Sequence, residues 1–372
     1  MSVAQGAFEA MEHWPDRRIQ DLLHIELPII QAPMAGAMDS RLVIAVSQAG
    51  GLGSLPCALL TPDQVRAELE TIRREAPSRP VNLNFFCHTP PQIDEERELA
   101  WRRRLEPYYR ERGLDSNAPL RPATRMPFDN AMCDVVEQFK PEVVSFHFGL
   151  PETSLLARVK STGAKILSSA TTADEARWLA DRGCDAIIAQ GYEAGGHRGM
   201  FLTQDVATQV GTMALVPQVV DAVKVPVIAA GGIADARGVA AAFALGASAV
   251  QIGTAYLFCP EAKIGPVYRK ALHEVRDDQT VLTNVFSGRP ARAIVNRIVR
   301  EIGPISPVAP QFPLAAAAIA PLRASSEARD SDEFAQLWSG QAAHMSRELP
   351  AAEFTKRVAA ETLNVLIRIG KR

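Results

Sequence analysis

The residues best equipped for chemistry lie in the stretch Gln190-Gly-Tyr-Glu-Ala-Gly-Gly-His-Arg-Gly199. Its glycines exclude a helix and predict a loop. Glycine lets a backbone approach a ligand closely and leaves N–H groups free to hold an anion. Among them stands His197, flanked by Gly196 and Arg198. Imidazole titrates near neutral pH, so a histidine held on such a loop is a candidate acid or base. The competing reading is a solvated histidine on a surface loop. A second histidine, His147, sits in Ser145-Phe-His-Phe-Gly149. There the competing reading is a core histidine satisfied by one hydrogen bond. A metal centre built on the two would need a carboxylate, and Glu193, set among glycines, is the one candidate. No metal is expected.

The elements that must position these residues follow a rhythm. Short apolar runs at 27–32, 52–55, 80–86, 142–147, 165–169, 185–190, 226–230 and 249–252 read as strands. Each is followed by a helical segment. Ser40 is placed to cap the first of these helices, and Thr61-Pro-Asp-Gln opens the second. Strands without polar alternation indicate a parallel sheet buried on both faces. Eight βα units over such a span predict a (β/α)8 TIM barrel within an α/β fold. An open doubly wound sheet is the alternative.

The barrel is expected at 21–258, after a leader or first helix over 1–20. A charged excursion at 88–130 interrupts it and reads as a solvated helix face between proline-rich ends. Residues 259–350, with many prolines and with polar helices around 331–345, read as a smaller, mostly helical domain covering the substrate. Residues 351–372 supply a C-terminal helix that returns to the barrel, its amphipathic part at 358–369.

The composition is 47% hydrophobic and 22% charged, with a net charge of -2, as in an ordinary soluble protein. That balance points to no nucleic acid and no membrane surface. No apolar run reaches the roughly 18 residues of a membrane span. Five scattered cysteines without a CxxC pair suit a reducing, cytoplasmic setting.

In a barrel the C-terminal ends of the strands share one mouth. Gln31, Asn82 or Asn84, His147, Ser168, Ser169, Gln190 and Gln251 are the polar residues there. Ala229-Ala-Gly-Gly-Ile-Ala-Asp235 and Gln251-Ile-Gly-Thr254 end the last two strands in glycine just before a helix. Barrels hold phosphate at that place. Neither GxGxxG nor a P-loop is present, so a Rossmann or P-loop nucleotide site is not indicated.

In these motifs the sequence resembles the class I nitronate monooxygenases, once called 2-nitropropane dioxygenases. The matching pieces are Gln31-Ala-Pro-Met-Ala-Gly36, Pro80-Val-Asn-Leu83, Ser145-Phe-His-Phe-Gly149, Gln190 to Gly199, Ala230-Gly-Gly-Ile233, Gln251-Ile-Gly-Thr254 and Phe286-Ser-Gly-Arg-Pro290. The resemblance implies noncovalent FMN, contacted by Ala32, Pro33, Met34, Asn82, Gln190, Gly195, Gly196, Gly231, Gly232, Gln251, Ile252, Gly253 and Thr254. It implies His197 as catalytic base and oxidation of a nitronate, or its parent nitroalkane, by O2 to a carbonyl compound and nitrite. Detoxification is one role this would serve. His147 is expected to bind substrate through the nitro oxygens. A homodimer is compatible with the resemblance. Ala37 departs from it, standing where the family's opening motif has a second glycine, and the 88–130 stretch is longer than the family pattern. Related FMN barrels include NAD(P)H-dependent enoyl-acyl-carrier-protein or polyketide enoyl reductases and NAD(P)H:quinone reductases. A flavin-binding module without activity is the remaining alternative.

Overall fold

The computed structural model of the chain describes residues 14–120 and 125–370. Of the leader expected at 1–20, residues 1–13 lie outside the described residues, and Arg18–Leu23 is helical. The strands are β1 (Ile29–Gln31), β2 (Gly53–Pro56), β3 (Val81–Phe86), β4 (Val143–His147), β5 (Lys165–Ala170), β6 (Ala186–Gln190), β7 (Gly196–His197), β8 (Val227–Ala230), β9 (Ala249–Ile252), β10 (Thr280–Thr283) and β11 (Ala291–Ile294).

Eight of them pair in parallel in the order β1-β9-β8-β6-β5-β4-β3-β2. A parallel bridge between Ile30 and Leu52 joins the two ends of that sheet. The result is a nearly closed eight-stranded barrel of TIM type, and the open-sheet alternative falls. The eight apolar runs all appear as barrel strands because both faces of each are buried. Ile30, Leu52, Val143, Leu167, Ile188 and Ile228 pack inside, with Ile19 and Leu23 against them. Val144, Phe146, Ile166, Ile187 and Val250 face outward into the core under the helices. Helix Pro62–Glu75 has the expected start, with Thr61 and Gln64 forming a capping box. At helix Ser40–Gln48 the cap is Asp39, which accepts from the Arg41 amide at 3.1 Å, rather than Ser40.

The charged excursion differs from expectation. Helix Glu95–Arg112 buries Trp101, Leu105, Tyr108 and Tyr109. They join Val285, Phe286, Ile298, Ile319, Leu322 and Phe334 in a second core. Trp101 Nε1 donates to the Ala315 carbonyl at 3.2 Å, and the Tyr109 hydroxyl to the Ala318 carbonyl at 2.6 Å. An aromatic stripe at helical spacing was hidden among the charges, so only the other face of the helix is solvated. This segment and residues 280–335 thus form one packed layer.

Residues 259–350 are also less helical than expected. They hold helices Pro266–Glu274, Arg297–Ile302 and Ala315–Glu327, but β10 and β11 form a three-stranded antiparallel sheet with β7. Around 331–345 there are turns and one 3-10 turn, Ala343–Met345. The last helix, Ala351–Gly370, spans the expected C-terminal stretch and packs against barrel helices Ser40–Gln48 and Ala236–Ala244. Among the described residues no helix is long and apolar enough to cross a membrane.

Candidate active site

A cavity of about 580 Å³ opens above the C-terminal ends of the barrel strands. Asn84, His147, Ser169, Gln190 and Gln251 reach it from β3, β4, β5, β6 and β9. Met34, Gly195, Gly232, Gly253 and Thr254 line it from the loops, and Arg125, Leu337 and Trp338 from the covering layer.

The glycine stretch is more ordered than a loop. Gly196 and His197 form β7, pairing antiparallel with Arg292 and Ala291 of β11. The Gln190 side chain binds the stretch to the barrel, its Nε2 donating to the His197 carbonyl at 2.9 Å and its Oε1 accepting from the Gly199 amide at 2.7 Å. Arg198 is fully buried and donates to the carbonyls of Gly191 at 2.6 Å and Gln190 at 2.7 Å and to Gln209 Oε1 at 2.8 Å. Gly199 lies so close to His147 that a Cβ there would come within 3.0 Å of its ring. Buried Glu175 accepts from the amides of Phe201 and Leu202 and anchors the exit of the stretch. His197 is thereby held from both sides.

The His197 ring lies among aromatic side chains, with centroids of Phe86, Phe148, Phe312 and Trp338 at 6.2, 6.0, 5.2 and 5.3 Å. Its Nε2 lies 2.8 Å from Ser287 Oγ. Burial, followed by the positive charge of Arg125, holds the ring well below the ordinary imidazole range. His197 is therefore neutral at neutral pH. Ser287 Oγ also reaches the Arg289 carbonyl at 3.4 Å. With its proton turned there, Ser287 would accept from Nε2–H and leave the lone pair on Nδ1; with its proton turned to Nε2, the ring proton would stand on Nδ1.

His147 lines the cavity, but both of its ring nitrogens are engaged. Nδ1 lies 3.1 Å from Ser169 Oγ and Nε2 lies 3.2 Å from the His197 carbonyl. A carbonyl can only accept, so Nε2 carries the proton. Burial pushes the ring down to about 3. His147 thus stands on the cavity wall, as expected, but its hydrogen bonds go to the β7 backbone and Ser169 rather than into the cavity.

Four more expectations change with depth or direction. Asn82 does not line the cavity; it lies deeper in the barrel, with Nδ2 donating to Ser54 Oγ at 3.0 Å. Asn84, one pleat higher, takes its place. The Ile252 side chain faces the outer core. Gln31 and Ser168 are buried away from the cavity, Gln31 accepting from the Ser54 amide and Ser168 donating to the Phe146 and Gly149 carbonyls. The remaining expected residues, Ala32, Pro33, Met34, Gln190, Gly195, Gly196, Gly231, Gly232, Gln251, Gly253 and Thr254, converge on the cavity wall.

The loops after β8 and β9 present backbone. Gly231 has φ +115, a conformation that favours glycine, and a Cβ there would sit 3.0 Å from Thr212 Oγ1. Among the described residues the amides of Gly231, Gly232 and Gly253 donate to no acceptor. Gln251 Oε1 is buried without a partner. Glu193 accepts from the Thr212 amide and hydroxyl, at 2.8 and 2.7 Å, which occupies it at the start of helix Thr212–Ala222. Among the described residues no cluster could hold a metal ion.

Ser287, Phe312, Trp338 and Arg125 were not singled out in the sequence as site residues. Ser287 stood within a quoted motif, but nothing local to the others marks a site.

The chain is similar to known proteins over nearly its whole length. The family model described as nitronate monooxygenase matches residues 16–361. A nitronate monooxygenase of Pseudomonas aeruginosa is 41% identical over 347 residues, covering 92% of this chain and 98% of that protein. The crystal structure of a nitroalkane oxidase from Streptomyces ansochromogenes superposes with a TM-score of 0.85 at 36% identity, over 95% of this chain and 99% of the other. FabK from Thermotoga maritima superposes at 0.72 with 29% identity, over 96% and 99%.

Proposed function

The chain belongs to the nitronate monooxygenase family, and from that premise we propose that it oxidises alkyl nitronates and their parent nitroalkanes with O2, giving carbonyl compounds and nitrite, with FMN as noncovalent cofactor and His197 as base. The observation that carries this reading is a buried, neutral histidine on the wall of a cavity also lined by three glycines whose amides have no acceptor among the described residues.

The residues present fit FMN. A cavity of about 580 Å³ is of the size that encloses such a ligand. Gly231, Gly232 and Gly253 offer unused amides for a phosphate, and Thr254 a hydroxyl beside them. Thr254 Oγ1 accepts from the Gly340 amide at 2.9 Å, which leaves its own proton to donate. The orphaned Gln251 Oε1 is suited to a hydroxyl or ring N–H of the ligand. Ala32, Pro33 and Met34 would line the ring system, and Gln190, Gly195 and Gly196 would border it. FMN supplies, when bound, the acceptance of electrons from the anion and their delivery to O2.

The chain's own residues do the rest. Nδ1 of His197 takes the α-proton of a neutral nitroalkane. In this reading Ser287 accepts from Nε2–H, which leaves Nδ1 as the base. His147 and Gln190 grip the His197 carbonyl and keep the ring in place. Phe86, Phe148, Phe312 and Trp338 exclude water, which strengthens every charge interaction at the site. A nitronate arrives already deprotonated and does not need the base.

The test is anaerobic. The purified protein is denatured and its supernatant examined for FMN; the native protein is then mixed with ethylnitronate or with NADPH. Bleaching of the flavin by ethylnitronate is the expected result. Bleaching by NADPH alone would move the assignment to a reductase, and protein that takes up no FMN would overturn the reading of the cavity.

A further inference from the structure

The cavity contains a cation that has no partner among the described residues. Arg125 is partly buried and lines the cavity. Its Cζ lies 5.8 Å from the Phe312 centroid, and Phe312 lies 5.2 Å from the ring of His197. Burial pushes the guanidinium down to about 10, so it is charged at neutral pH, and the charge of Arg323 beside it is of the same sign. Among the described residues its side chain has neither a hydrogen-bond acceptor nor a carboxylate.

The other buried arginines near the site each reach at least one carbonyl oxygen, although Arg289 Nε and one terminal nitrogen of Arg292 have no partner among the described residues. Arg198 donates to three oxygens, Arg292 to the Tyr192 and Thr280 carbonyls, and Arg289 to the Met200 carbonyl. Of the other cations on the cavity rim, Lys263 is exposed and Arg323 pairs with Glu327 at 3.1 Å. A charge drawn out of water without a counterion is unfavourable. Arg125 therefore calls for an anion supplied by a ligand. The unused amides of the β8 and β9 loops already serve a phosphate, whereas Arg125 is on the side of Phe312 and His197. After burial, its charge is the strongest influence on His197.

We propose that Arg125 is a specificity-determining residue that binds the two oxygens of the nitronate group, an inference resting on the nitronate-oxidising reading above. The guanidinium fork matches a planar pair of anionic oxygens, as it does a carboxylate. The same contact stabilises the anion that forms when Nδ1 of His197 removes a proton from a nitroalkane. A neutral nitroalkane gains less from the cation on binding, so Arg125 selects the anion.

The experiment compares the FMN-loaded protein with Arg125→Met and Arg125→Lys. Sodium nitrate, a planar anion of the same charge, is titrated by calorimetry, and steady-state constants are measured with ethylnitronate and with nitroethane. Arg125→Met is expected to weaken nitrate binding about tenfold or more and to raise KM for ethylnitronate by a similar factor. KM for nitroethane should move much less, FMN content should not change, and Arg125→Lys should recover part of the nitrate affinity. Unchanged nitrate binding and ethylnitronate KM in Arg125→Met would overturn the proposal, as would failure of the unsubstituted protein to bind nitrate or loss of FMN from the folded variant. If Arg125→Met does not fold, Arg125→Lys decides through the ratio of the two KM values: a ratio equal to that of the unsubstituted protein sinks the idea. If the unsubstituted protein turns over no nitronate, the functional reading fails, and the nitrate titration still decides whether Arg125 binds an anion.

Discussion

On one wall of the cavity, the loops after β8 and β9 offer backbone amides and hardly any side-chain chemistry. On the other, His197 is enclosed by four aromatic rings, with Ser287 on its Nε2 and the Arg125 guanidinium beyond Phe312. Under the proposed function the first wall needs room and N–H donors, so the absence of side chains would be its working feature. The second needs one imidazole in one protonation state, so many side chains converge on it. The difference teaches that the two walls fail differently: a Cβ harms the first, and loss of a functional group harms the second.

The largest effect should come from His197→Asn. Nitroalkane turnover is expected to fall about 10²–10⁴-fold, the usual contribution of a positioned base. FMN content and oxidation of a preformed nitronate should persist, as followed by O2 consumption. Full nitroalkane turnover would break the division between the walls.

Gly231→Val tests the other wall. The positive φ and the crowding by Thr212 Oγ1 and the Ala194 amide should weaken FMN binding about 10- to 100-fold, measured by flavin fluorescence. A variant that keeps FMN tightly would remove the phosphate role from this loop.

Acid sharpens the comparison further. His147 is held down to about 3 and His88 to about 4, both chiefly by burial, from an ordinary value of 6.5. Between those values and 6.5 the unfolded chain binds protons that the folded chain does not, so stability rises with pH. The contribution of these neutral rings is complete above about 6.5 and is lost as pH falls toward 4 and 3, by up to about 1.4 kcal/mol per pH unit for each ring. Urea midpoints at pH 7 and pH 5 should show the loss, and His147→Gln should flatten it. A midpoint independent of pH would contradict the burial of these rings.

The smallest effect is expected from Ser287→Ala. It frees Nε2 of His197 without removing the base, and nitroalkane kcat should fall by less than about tenfold, with nitronate oxidation unaffected. An equal loss on both substrates would show that Ser287 does more than hold the tautomer.

Much of this was legible in the chain. The eight barrel strands could be read because each is buried on both faces, and the glycines after β8 and β9 because tight strand-to-helix turns and anion cradles both favour them. The choice between Asn82 and Asn84 could not be read. Both point inward by the two-residue period of a strand, and only the depth of each layer puts Asn84 at the cavity and Asn82 against Ser54. Helix Glu95–Arg112 was misjudged because its buried stripe, Trp101, Leu105, Tyr108 and Tyr109, is sparse among charges that do remain in solvent.

The residue order by itself determined local matters: where strands run, which turns need glycine, and that a histidine follows the sixth barrel strand on a stretch able to approach a ligand. Only the tertiary structure decided that Gly196 and His197 pair with β11, that Ser287 and Phe312 meet a histidine about ninety or more residues earlier, that His147 is spent on backbone and Ser169, and that Arg125 lines the cavity without a counterion among the described residues. The physical reason is that the protonation state and reach of a side chain depend on how much water is removed from it and which charges are brought beside it, and both come from contacts between distant parts of the chain.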